Sequence, residues 1–135
     1  MAECCGGEVK MIYACSGAAD VGGIADRVSR KLRDEGFAKM SCLAAVGANL
    51  SGYVETARGA DTVIAIDGCA TACARKNFER IGVTPVSYVL TEMGLEKGNA
   101  PVVQETVDRL ALAVKNGAVS AGKSSSGGCG CGGSC

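Results

Sequence analysis

The sequence predicts an α/β fold, a three-layer αβα sandwich around a mostly parallel sheet of four strands. Two observations carry that expectation. Strand-like runs alternate with amphipathic helical runs along the chain, and such a chain closes through right-handed crossovers that put helices on both faces of a parallel sheet. In addition, Val63-Ile64-Ala65-Ile66 is continuously apolar, as a strand buried on both faces must be.

Val9-Lys10-Met11-Ile12-Tyr13-Ala14 mixes β-branched, aromatic and long residues and runs into the small-residue segment Cys15-Ser16-Gly17-Ala18-Ala19-Asp20, a strand followed by a tight turn. Asp20 is placed to cap a helix whose Ile24, Ala25, Val28 and Leu32 share one face, and Gly36 to end it. Ala38-Lys39-Met40-Ser41 is a short second strand ending at Cys42. Leu50, Tyr53, Val54 and Ala57 then fall at helical spacing. The third strand, Asp61 to Ile66, ends at Asp67-Gly68-Cys69. Ala70 to Ile81 follows as a helix with Ala74, Phe78 and Ile81 inward and Gly82 as its stop. Pro85 to Leu90 supplies a fourth strand, and Val102 to Lys115 a last helix burying Val103, Val107, Leu110 and Val114. The pattern is Rossmann-like or flavodoxin-like.

A chain of 135 residues with 47% hydrophobic content builds one core, so one domain is expected. The expected organisation is a flexible start over 1–8, the α/β domain over 9–116, and a Gly/Ser/Cys-rich tail over 117–135 with little to bury. Fourteen basic residues balance fourteen acidic ones and aromatics make up 4%. Neither the charge nor the stacking surface of a nucleic-acid binder is visible. No apolar run approaches the ~20 residues of a membrane helix. The first residues lack the basic start and apolar run of a secretory signal, so a cytoplasmic setting is expected.

Nine cysteines accompany no histidine at all. In a reducing compartment so many thiols point to metal binding or redox chemistry more than to a disulfide framework. Without histidine, any metal site must be built from sulfur, with a carboxylate at most. Cys15, Cys42 and Cys69 each follow a strand, and Cys73 lies one helical turn beyond Cys69. All four therefore belong to the carboxyl edge of the sheet, where open α/β sheets bind ligands. With Cys69 and Cys73 both in the first turn of a helix, its N-terminal partial charge and the nearby Arg75 and Lys76 would lower their pKa values.

Converging thiolates repel, and a divalent ion relieves the repulsion. Zinc takes four sulfurs tetrahedrally at about 2.3 Å, with amides near Gly17, Gly22, Gly23 and Gly68 placed to offset the remaining negative charge. An iron–sulfur cluster is the lesser alternative. Asp67 and Asp20 are accessory candidates, although capping or turn formation also accounts for each. Ser16 and Thr71 are read as loop residues bonding to backbone. The glycines between Gly17 and Gly23 match neither the dinucleotide fingerprint nor the P-loop.

Three motifs, Cys15-Ser16-Gly17 with Asp20 and Gly22, Cys42-Leu43-Ala44, and Ile66-Asp67-Gly68-Cys69 with Cys73, resemble the DGC domain family, described as zinc-binding and named for its Asp-Gly-Cys motif. The resemblance covers roughly Val9 to Val114. It implies Cys15, Cys42, Cys69 and Cys73 as the chelating residues, the same four singled out by placement, and it implies no assigned reaction. Cys4, Cys5, Cys129, Cys131 and Cys135 lie outside it. The three tail cysteines are candidate ligands on a mobile arm, whose ~15 flexible residues would reach on the order of 20 Å.

The function expected is therefore binding of zinc or another soft metal by a carrier, sensor or accessory protein. The alternatives are a thiol redox or sulfur-transfer protein, and an enzyme whose cysteine-held zinc keeps an open position. The expected partner is a metal ion.

Overall fold

The computed structural model describes residues 7–117. Its elements are β1 (Lys10–Ala14), α1 (Asp20–Asp34), β2 (Lys39–Met40), α2 (Leu43–Gly47), α3 (Ser51–Gly59), β3 (Thr62–Asp67), α4 (Cys73–Arg80), β4 (Val86–Val89) and α5 (Gln104–Lys115), with a 3-10 turn over Leu90–Glu92 between β4 and α5. The expectations for Cys4, Cys5, Cys129, Cys131 and Cys135, and for flexibility at both ends, lie outside the described residues.

The strand order is β2-β1-β3-β4 and all three pairings are parallel. Alternate side chains of the central strands serve two cores, because successive residues of a strand face opposite sides. Ile12, Ile64 and Ile66 pack with Val21, Ile24, Val28 and Leu32 of α1 and with Val107, Leu110 and Val114 of α5. Tyr13, Val63 and Ala65 pack on the other face with Val46, Val54 and Phe78 from α2, α3 and α4. The result is the expected αβα sandwich. Each large aliphatic side chain buried in this way contributes about 1.5–3 kcal/mol of transfer free energy.

Three local expectations are corrected. The helix expected from Ala70 begins at Cys73, because Ala72 adopts a left-handed conformation with φ +51°, which no regular helix admits. The last helix begins at Gln104, not Val102. Val103 is extended and 46% exposed, in keeping with the preference of β-branched residues for extended backbone. Asp20 does not cap α1, since Ala19 holds the cap position and Asp20 is already helical. The helical spacing of Tyr53, Val54 and Ala57 is that of α3, of which Val54 and Ala57 are buried and Tyr53 is exposed, while Leu50 precedes the helix. Gly36 and Gly82, at φ +75° and +78°, end α1 and α4 as expected.

Among the described residues no helix is long and apolar enough to cross a membrane.

Candidate functional site

From β1 the chain crosses to β2 on one side, and from β2 it passes over to β3 on the other side. The carboxyl ends of β1 and β3 therefore flank the point where the connections diverge, the position at which doubly wound sheets leave a crevice. Two loops meet there, Cys15 to Ala19 after β1 and Gly68 to Ala72 after β3. The amide of Cys15 donates to the Ile66 carbonyl at 2.9 Å, and the amide of Gly68 donates to Cys15 Sγ at 3.3 Å. Backbone approaches backbone so closely that a Cβ on Gly22 would stand 2.4 Å from the Gly17 carbonyl oxygen, and one on Gly68 would stand 2.7 Å from the Val21 carbonyl carbon. Only glycine fits at either position.

Cys15, Cys69 and Cys73 line one cavity at this point, with a volume of about 280 Å³. Cys42, after β2, opens into an adjoining cleft of about 670 Å³ that also contains Tyr53, Arg30 and Asn77. Cys15 lines both cavities. All four cysteines are free thiols. Cys42 and Cys73 are exposed, whereas Cys15 and Cys69 are half-buried. Among the described residues no three cysteine, aspartate or glutamate side chains stand close enough together to hold one metal ion.

Each loop carries a non-glycine residue in the left-handed region beside a cysteine. Ser16, at φ +49°, follows Cys15, and Ala72, at φ +51°, precedes Cys73. Such residues store strain, and they concentrate at sites where side-chain position matters. Ser16 is held by its hydroxyl bond to Asp26 at 3.1 Å, and Asp26 in turn accepts from Arg30 at 2.7 Å. Ser16 thus bonds to a side chain across the cleft, not to the loop backbone.

Asp67 is buried. Its two carboxylate oxygens accept the amides of Ala74 and Arg75 at 2.8 and 3.1 Å. It caps α4 from the end of β3, which is why the helix can begin at Cys73 without a local cap. Burial pushes its carboxyl pKa up, and the two amides oppose that shift. Asp20 accepts the amide of Val21 at 2.8 Å and those of Gly98 and Ala100 at 2.9 and 2.8 Å, and these bonds hold its pKa down.

The Cys69 thiol is easier to ionise than a free one. The main cause is its contact with the Thr71 hydroxyl at 3.5 Å, reinforced by the Thr71 backbone and by Lys97, whose Nζ lies 3.9 Å from the sulfur. The expected sources, a shared helical turn with Cys73 and the charges of Arg75 and Lys76, are not the ones acting on Cys69, which sits in the loop before α4. Sequence spacing gave no sign of Lys97, because the contact joins residues 28 positions apart. The Gly94, Gly98 and Pro101 punctuation marks only a loop.

The sequence profile of the DGC domain matches residues 11–114. The chain is also 35% identical over 88 residues to a protein of Pseudomonas aeruginosa named anaerobic and virulence modulator AnvM, covering 64% of this chain and 67% of that protein. No solved structure shows significant similarity to it.

Proposed function

The chain belongs to the DGC domain family, and from that premise we propose that it is a soft-metal-binding accessory protein that takes a metal ion as cargo through Cys15, Cys69 and Cys73. The observation that carries this reading is the cavity lined by those three thiols at the divergence of β1 and β3. A donor set of sulfur alone, in a chain without histidine, fits ions such as zinc or cuprous copper. A closed structural zinc centre would hold four ligands in tetrahedral array. Here the thiols are separate, and Cys42 stands in the neighbouring cleft. Asp67 supports the site by holding the α4 end at Cys73. The name of the Pseudomonas relative describes a modulator, which fits an accessory or sensing role for this chain as well.

The test is metal titration of the full chain, purified reduced and without air, with zinc and cuprous ions in separate arms. The expected result is one ion per chain, retained when Cys129, Cys131 and Cys135 are all changed to Ser and lost in Cys15→Ser, Cys69→Ser and Cys73→Ser, with Cys42→Ser weakening it less. Binding that depends only on the tail thiols, or that survives loss of the three core cysteines, would overturn the reading.

A second reading is a thiol redox protein. Its supporting observation is the half-buried, readily ionised Cys69. Selective formation of a mixed disulfide at Cys69 by a small disulfide, in metal-free chain that binds no ion, would favour it.

A further inference from the structure

The segment from Met93 to Pro101, between the 3-10 turn and α5, has no regular structure yet is tied down at several points. The Leu95 amide donates to the Leu90 carbonyl at 3.2 Å, and Leu95 packs against the core beneath α1 and α5. The Asn99 amide donates to the Glu96 carbonyl at 3.0 Å, and Gly98 has φ +89°. This is the pattern of a type II turn, with Lys97 at its first corner and glycine where a positive φ is required. Just beyond the corner, Gly98 and Ala100 donate their amides to the two oxygens of Asp20. The carboxylate lies in the first turn of α1, some eighty residues back in the sequence, where the helix end also favours its charge.

Lys97 consequently stands over the thiol cavity it helps to line, 3.9 Å from Cys69 Sγ. Among the described residues its side chain makes no ion pair; its ammonium contacts the Cys69 sulfur, and the turn sets where its backbone stands. The Asp67 carboxylate also lines the cavity and its charge opposes ionisation of Cys69, but it is buried and engaged with the α4 amides. Of the two charged residues that line the cavity, Lys97 is exposed and Asp67 is buried. By contrast, Arg30 of the Cys42 cleft is paired with Asp26.

We propose that Asp20 is a positioning residue for this cavity, holding the turn that sets Lys97 beside Cys69, and that the cavity thereby prefers small thiol or disulfide partners bearing carboxylates over neutral ones. The inference rests on the thiol cavity being the working site. It does not depend on which metal, if any, is carried.

The test compares thiol–disulfide exchange at Cys69 of the full, metal-free, reduced chain with two aromatic disulfides, the dicarboxylate dithionitrobenzoate and the neutral dithiodipyridine. In each case the Cys69 thiolate attacks one sulfur, a protein–aryl disulfide forms, the reagent S–S bond breaks and an aryl thiolate leaves. Acid quenching followed by peptide fragmentation reads Cys69 and Cys42 separately. The ratio of the anionic to the neutral rate removes the common effect of thiolate fraction.

A unit charge acting at about 4–6 Å in a water-like dielectric changes that ratio by roughly three- to fivefold. Lys97→Ala is expected to lower it by that amount at Cys69, leaving Cys42 unchanged, and Lys97→Arg to restore it. Asp20→Ala is expected to give the same drop with Lys97 intact, the double variant no further drop, and molar salt to erase the difference. Asp20→Asn, which keeps one acceptor, serves where Asp20→Ala does not fold, and should fall between. A wild-type ratio in Lys97→Ala or in the Asp20 variants, or a parallel fall at Cys42, would overturn the proposal. Failure of metal titration would leave this ratio unaffected, so the two readings fail separately.

Discussion

The Gly68 amide donates to Cys15 Sγ at 3.3 Å, joining the loops that leave the neighbouring parallel strands β1 and β3. That bond requires the β3 loop to press against the start of α1. An added Cβ at Gly68 would sit 2.7 Å from the Val21 carbonyl carbon, a contact that backbone cannot yield to cheaply.

Gly68→Ala and Gly22→Ala are accordingly expected to destabilise the fold by about 1–3 kcal/mol each, as overpacked substitutions do. Gly23→Ala is the control. It lies in α1 next to Gly22 and its Cβ would meet nothing within 4 Å, so it should stabilise by about 0.5–1 kcal/mol through helix propensity. Urea unfolding of the three variants checks the ordering.

Asp67 and Asp20 should respond to acid with opposite signs. Burial raises the Asp67 pKa above its unfolded value near 3.9. Protonation therefore favours the folded state, and the gain, complete below the unfolded pKa, is lost as pH rises through the folded one. Asp20 is lowered by the amides of Gly98 and Ala100. Its contribution is present above the unfolded pKa and lost as pH falls through the folded value. Relative to Asp67→Asn, the wild type should gain stability on going from neutral pH toward about pH 4; relative to Asp20→Ala, it should lose stability only below that. Urea midpoints across a pH series distinguish the two slopes.

Asp67→Ala also removes both acceptors for the first amides of α4. The expected loss is about 1–2 kcal/mol at neutral pH, as for a helix cap, with faster amide exchange at Ala74 and Arg75. Unchanged exchange at those two amides would contradict the capping role.

Thr71→Val removes the leading cause of the lowered Cys69 pKa. Alkylation of Cys69 by a neutral reagent at pH 7 should slow, while its rate at high pH, where every thiol is ionised, should match the wild type. A uniform slowing at all pH values would mean that access, not ionisation, had changed.

Phe78 anchors α4 on the sheet. It is fully buried and meets Tyr13 edge to face, with ring centroids 4.6 Å apart and planes at 61°. Phe78→Ala should cost about 3–5 kcal/mol, seen as a lower denaturant midpoint at unchanged slope.

Much of this was legible in the sequence because it depends on periodicity and punctuation. The apolar run Val63 to Ile66 has the pattern of a strand covered on both faces, the α1 stripe of Ile24, Val28 and Leu32 that of a helix on a core, and Gly36 and Gly82 stand where helices stop. Alternation of such segments determined the sandwich, and with it the placement of Cys15, Cys42 and Cys69 after successive strands. These features arise within one element or from the way neighbouring elements must cover each other. The tertiary structure alone decided how the thiols are shared between two cavities, why α4 waits until Cys73, and what Asp20 and Lys97 touch. Those outcomes rest on contacts between distant segments: the amides of Gly98 and Ala100 reach a carboxylate some eighty residues away, and the α4 amides of Ala74 and Arg75 are taken up by Asp67 at the end of β3, beyond the left-handed Ala72. Local pattern carries no term for such pairings, since their energy exists only once the strands have brought the loops together.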